Sequence, residues 1–151
     1  MKKSIKLFFD EAKPFKPRFI QPLGGLRGLY FISSDQIQIQ YPYKKSRLLY
    51  IGMSEKKTNS IGKRLSDHYD EKSGNVGITS YKEVSQLYFT YINYEMLKNL
   101  WEYRVEDLES YFILDFVKHY GVYPICNNKV GFEILKNKLD IAIEIDWRYF
   151  E

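Results

Sequence analysis

Apolar and polar positions divide the chain into segments of different period. The runs "GLYFIS" (Gly28–Ser33) and "RLLYIG" (Arg47–Gly52) are short stretches of aromatic and branched residues with glycine at one end, and they read as paired strands. Between them "DQIQIQYPY" alternates polar and apolar residues, as a strand with one exposed face does, and "KKS" supplies a loop. "IGKRLSDHY", Ile61–Tyr69, follows the helical period. Ile61 and Leu65 mark a buried stripe, and Arg64 and His68 stand one turn apart beside it. "SGNVGITS" reads as loop, and Val84–Tyr94, more aromatic than alternating, as a further, central strand. From Glu95 to Tyr120 the spacing is helical: Leu97, Trp101, Val105, Leu108, Phe112 and Phe116 recur every three or four residues, and Gly121 supplies the stop. In the tail, "IAIEI" fits a strand or the end of a helix.

These elements predict a mixed α+β domain with a small, mainly antiparallel sheet of three or slightly more strands flanked by helices. A chain of 151 residues suits one domain: a basic N-terminal arm over residues 1–27, broken by Pro14, Pro17 and Pro22, then a core over 28–128 and a C-terminal extension over 129–151. No apolar run approaches the roughly 20 residues of a spanning helix, so no membrane partner is expected. Asp10 and Glu11 interrupt the basic N-terminus before a signal-peptide apolar region forms. Cys126 is the single cysteine, which excludes an intrachain disulfide and points to a reducing, cytoplasmic or other intracellular compartment. It follows Pro124 and Ile125 and reads as a small buried residue rather than a nucleophile.

The net charge of +4 hides an uneven distribution. Lys44, Lys45, Arg47, Lys56, Lys57, Lys63 and Arg64 face one acid, Glu55, within 44–64, whereas residues 95–119 hold six acids and three lysines or arginines. A polyanion would be drawn to the first segment and repelled by the second unless a cation intervened. Interleaved tyrosines, 14 in the chain, suit stacking on bases and packing in a core alike.

The order of these elements and their polar residues resembles the GIY-YIG nuclease family. "GLY" (Gly28, Leu29, Tyr30) looks like the first motif, with leucine in place of isoleucine, and "YIG" (Tyr50, Ile51, Gly52) matches the second. Lys63, Arg64 and His68 are similar to the family's helix motif, and "LESYFIL" puts Glu109 where the family's next helix carries its glutamate. "YPICNN" resembles the closing motif, with Asn127 as the match and Asn128 as the alternative. The resemblance covers residues 28–128 and rests on five motifs in order.

The resemblance implies a divalent-metal-dependent endonuclease acting on DNA, with Mg2+ or Mn2+ held chiefly by Glu109, water and the substrate phosphate. Magnesium suits so sparse an oxygen site because it keeps most of its waters. Arg64 would clamp the scissile phosphate through its planar fork. Tyr30 or Tyr50, or a water that one of them orients, would activate the nucleophile. A phenol with an ordinary pKa of about 10 needs nearby positive charge for that role. His68 would carry a proton or touch phosphate, Lys63 would raise the local potential, and Asn127 would orient loop and backbone. His119 is explained by the dipole at its helix C-terminus. Lys44, Lys45, Arg47, Lys56 and Lys57 would lie along the nucleic acid backbone.

Nineteen residues separate Tyr30 from Tyr50, more than in compact members of the family, which implies an inserted hairpin able to read DNA or to mediate a homodimer contact. "MSEKKTNS" lacks the lysine some relatives carry just after the second motif, and Lys56 or Lys57 would substitute. With no appended zinc finger or recognition helix in the sequence, the expectation is a stand-alone, restriction-like nuclease. The competing expectations are a non-catalytic nucleic-acid-binding module on the same fold and a structural partner of a larger complex.

Overall fold

In a computed structural model that describes residues 3–128 and 139–151, strand β3 (Gly28–Ser34) is buried at all seven positions. Aromatic and branched side chains on both of its faces explain this, because each face then needs its own cover. β3 pairs antiparallel with β6 (Leu48–Ser54) on one side and β7 (Leu87–Asn93) on the other. β2 (Lys13–Pro14) borders β7, giving the order β2-β7-β3-β6. Leu29, Phe31 and Ile51 pack with Leu108, Phe112 and Phe116 of α4 (Val105–Tyr120). Tyr30, Ile32 and Leu49 pack on the opposite face with Ile61 and Leu65 of α2 (Ile61–Tyr69) and with Ile20 at the end of α1 (Pro17–Ile20). The molecule therefore has two cores separated by one sheet. Gly28 opens β3 with φ 147°, and a Cβ there would run into the Ile92 carbonyl of the neighbouring strand.

Helices with mostly antiparallel strands are as expected, and among the described residues no helix is long and apolar enough to cross a membrane. Several local expectations give way. The N-terminal segment is no free arm: β1 (Lys3–Leu7) pairs in parallel with β8 (Ile141–Ile145), so "IAIEI" is a strand. Phe15, Ile20 and Leu23 are buried against the α2 side, each burial contributing about 1.5–3 kcal/mol. The alternating stretch 35–43 is strand only at β4 (Ile39–Gln40), which pairs with β5 (Lys45–Ser46) as a short hairpin. The Ser34 hydroxyl turns the chain away from the sheet by accepting the Ile37 N–H and bonding Ser85 Oγ.

The expected loop at 73–80 is loop only as far as Asn75. That side chain accepts the Ile78 N–H and caps α3 (Val76–Val84). The helix expected from Glu95 begins instead at Val105. Asn93 starts a 3-10 turn at Tyr94–Met96, Trp101 donates its indole N–H to the Arg104 carbonyl, and the Arg104 N–H bonds Asp107 to open α4. Gly121 closes α4 in the left-handed conformation, as its position predicts. Residues 129–138, the first part of the expected C-terminal extension, lie outside the described residues.

Candidate active site

Tyr30 stands on the face of β3 that looks toward α2, and directly across the ladder lies Gly52 of β6. A Cβ on Gly52 would overlap the Tyr30 ring, so the bare backbone at this position is the floor on which the ring rests. Further along, the register slips between Ile32 and Ser33: Ile32 faces Tyr50 and Ser33 faces Leu48, leaving Leu49 as a bulge. The bulge puts Leu49 into the α2-side core while Tyr50 keeps its ring 6.0 Å from that of Tyr30.

Helix α2 supplies the next two groups. Ser60 caps it by accepting the Lys63 N–H, and fully buried Ile61 and Leu65 fix its rotation. Arg64 and His68 then flank the buried stripe. His68 is only 6% exposed, and its Nε2 lies 3.0 Å from the Tyr30 hydroxyl, itself completely buried. Its Nδ1 lies 2.7 Å from Ser73 Oγ. The Arg64 guanidinium and the Tyr50 phenol both lie near enough to act on the Tyr30 hydroxyl electrostatically. From the other core, α4 contributes Glu109, 8% exposed, whose charge is felt by both Tyr50 and Arg64. β6 ends the order of the four-stranded sheet, which lets a residue of α4 act on side chains of the opposite face past that edge.

The outer edge of β6 is closed by the segment after α4. Asn127 accepts the Ile51 N–H at 3.0 Å and donates to the Ile51 carbonyl at 2.9 Å, and the Cys126 N–H bonds the Leu49 carbonyl at 2.8 Å. One amide side chain thereby satisfies both backbone groups between Tyr50 and Gly52. Asn128 is exposed.

The electrostatics follow from this burial. Desolvation and the neighbouring Tyr50 hold the Tyr30 phenol well above its ordinary pKa, with Arg64 pulling the other way. Tyr50 is raised by burial and then by Glu109, again opposed by Arg64. Burial works against the Arg64 charge, but Tyr30, Tyr50 and Glu109 outweigh it, so the guanidinium is held protonated more firmly than usual. Burial and the Arg64 charge bring His68 down to about 4, leaving a neutral imidazole at pH 7. Burial also pushes the Cys126 thiol up to about 12, a structural cysteine with no thiolate to offer. The cluster thus combines one permanent cation, one carboxylate and three proton-bearing rings, with Tyr30, His68 and Glu109 buried and Tyr50 and Arg64 half-buried.

The structure brings together Tyr30, Tyr50, Gly52, Arg64, His68 and Glu109, with Asn127 behind them. Lys63 sits on the crest of α2, its ammonium on both oxygens of Asp67. The remaining basic residues divide. Lys44 pairs with Glu151 at 3.5 Å and lies over the Tyr120 ring, and Arg47 bonds the Tyr149 and Phe150 carbonyls, which ties both to the C-terminal turn. Lys45 is exposed on the short hairpin, and Lys56 and Lys57 are exposed in the turn between β6 and α2. The seven residues of β6, roughly 20 Å of strand, separate the two groups.

Sequence reading missed Ser73 and Asn75. An asparagine just ahead of Val76–Val84 was a usable N-cap signal, whereas nothing in the pattern marks Ser73 as a histidine partner. Among the described residues no three His, Cys, Asp or Glu side chains form a metal-sized cluster, and the carboxylate whose charge acts on this cluster is that of Glu109. Such a donor set fits a hard cation that retains most of its water and leaves positions for a phosphate. Comparison of the chain with protein-family models, with curated sequences and with solved structures gives no significant match.

Proposed function

We propose that this protein is a divalent-metal-dependent endonuclease of the GIY-YIG kind that hydrolyses DNA phosphodiester bonds. The observation that carries the reading is convergence. Tyr30, Tyr50, Arg64, His68 and Glu109 come from two strands and two helices, span 80 positions of sequence, and meet at one half-buried cluster. Gly52 and Asn127, two motif residues without reactive groups, account for the floor and the edge of that cluster.

Each group has a part suited to phosphodiester hydrolysis. Arg64 is firmly protonated, and its fork would grip a phosphate oxygen while its charge acts on the Tyr30 oxygen. Burial holds the Tyr30 proton on, and the Arg64 charge works against that hold; the neutral His68 Nε2 3.0 Å away is the group that would take this proton as Tyr30 accepts one from the attacking water. Tyr50, nearer the Glu109 charge, is held protonated and orients that water. Glu109 is the residue that would hold Mg2+ or Mn2+, which supplies positive charge for the developing phosphorane and a more acidic bound water. Lys56 and Lys57 lie at the α2 end of β6, where a DNA backbone leaving Arg64 would pass.

The test is nicking of supercoiled plasmid with Mg2+ or Mn2+ by the wild type, Glu109→Ala and Arg64→Ala. Each substitution is expected to slow nicking by about 100-fold or more. A wild type that never cuts across several metals and substrates, yet binds DNA with strong salt dependence, makes the protein a binding module. A Glu109→Ala variant as fast as wild type removes Glu109 from the site.

A further inference from the structure

After α2 the chain folds back on the helix it has just left. Glu71 adopts φ 63°, the Lys72 and Ser73 N–H groups both bond the Asp67 carbonyl, and Gly74 takes φ 77°. This return brings Ser73 Oγ to 2.7 Å from His68 Nδ1. The hydroxyl does not swing freely there, because the Asn75 N–H donates to it at 3.2 Å. Asn75 is in turn fixed by capping α3 and by donating its amide to the Cys126 carbonyl, next to the residue that closes the edge of β6. Ser73 itself is exposed, so the contacts run from a buried phenol through a buried imidazole to a hydroxyl in water.

Lone pairs decide how this chain is polarised. Ser73 Oγ gives its own hydrogen to solvent and has two lone pairs left, one for the Asn75 N–H and one for an N–H from His68. At the buried end the Tyr30 hydroxyl lies 3.0 Å from His68 Nε2, and its hydrogen finds an acceptor there when Nε2 carries no proton. We infer that Ser73 is a positioning residue that holds His68 in the Nδ1–H tautomer, turning a bare Nε2 toward the Tyr30 hydroxyl and connecting the site to solvent. The transfer balances: the phenolic proton moves to Nε2, the Nδ1 proton moves to Ser73 Oγ, and the serine releases its own to water. The groups facing His68 are Tyr30 from β3, Tyr50 from β6, and Arg64 and Asp67 from α2. The tautomer is a property of the resting protein, and only its catalytic consequence rests on the nuclease reading.

The chain has two histidines, so an untagged His119→Gln variant leaves His68 as its one imidazole for 1H–15N spectra of the metal-free protein near pH 7.5. The expected signal is a single neutral tautomer protonated at Nδ1. Ser73→Ala in that background should raise the Nε2–H form to a comparable population, and Ser73→Thr should keep the original. In plasmid nicking, Ser73→Ala should slow the reaction about tenfold near pH 7, with recovery at higher pH and restoration by Ser73→Thr. An Nε2–H tautomer in the parent, or one that Ser73→Ala leaves unchanged, overturns the inference whether or not the protein cuts DNA. The expected tautomer and its loss in Ser73→Ala, in a chain that cuts nothing, keep the inference and sink the nuclease reading.

Discussion

At the scale of single residues, the site depends on two groups that do no chemistry and on one whose charge is suppressed. Gly52 is glycine because the Tyr30 ring occupies the place of its side chain. Gly52→Ala should force the ring aside at a cost of about 1–3 kcal/mol, read from urea unfolding, and should depress nicking with it. Unchanged stability would mean that the ring has room to spare. His68 carries a second consequence. Its ordinary pKa of 6.5 applies in the unfolded chain, while in the fold it falls to about 4. Between those pH values the unfolded state binds the extra proton, so the stability that neutral His68 permits is complete above pH 6.5 and is lost as the pH falls toward 4. The window corresponds to roughly 3 kcal/mol. Carboxylates titrate in the same range, so the measure is the difference between wild type and His68→Gln. Wild type should lose markedly more stability than the variant between pH 7 and 4.5, and parallel losses would contradict the assignment.

At the scale of elements, the edge of β6 is the part most exposed to damage. Asn127→Ala leaves the Ile51 N–H and carbonyl without their partner and should cost roughly 2–4 kcal/mol in unfolding free energy. Asn127→Asp keeps an acceptor for the N–H but sets an anion against the carbonyl, so it should rescue little. Full stability in either variant would show that the edge closes by other means. The elements also show where sequence was legible. β3 and β6 could be read from their unbroken aromatic and branched runs, and α2 and most of α4 because their side chains repeat at one period and are covered on the face that the period predicts. Leu97 and Trp101 kept the helical spacing without the helix, because Trp101 is buried from an irregular turn whose hydrogen bonds come from Trp101 and Arg104 themselves. β1 and β8 are separated by most of the chain, and a parallel pairing at that distance leaves no local trace. The five side chains that converge on the cluster were legible as motifs. Ser73 was not, since its role comes from a left-handed residue at Glu71 that no pattern announces.

At the scale of the whole molecule, one sheet buried on both faces lets two independent cores deliver groups to the same edge strand: Arg64 and His68 from one side, Glu109 from the other. The same architecture redistributes the basic segment that looked continuous in sequence. Lys44 and Arg47 serve the C-terminal turn, whereas Lys56 and Lys57 face solvent at the α2 end of β6. Replacing Lys56 and Lys57 together with alanine should lower the salt dependence of DNA binding by nearly two contacts, a change of roughly 1.8 in slope, while Lys44→Ala should leave it unaltered. A reversed order would move the DNA to the opposite end of the strand. The most direct measurement compares binding and single-turnover cleavage of one labelled DNA by wild type and Glu109→Gln, which keeps shape and removes only the charge. Near-equal binding without metal, together with Mg2+-dependent cleavage slowed by about 100-fold or more, is the expected result. Cleavage by Glu109→Gln at the wild-type rate, or no cleavage by either protein, would contradict it.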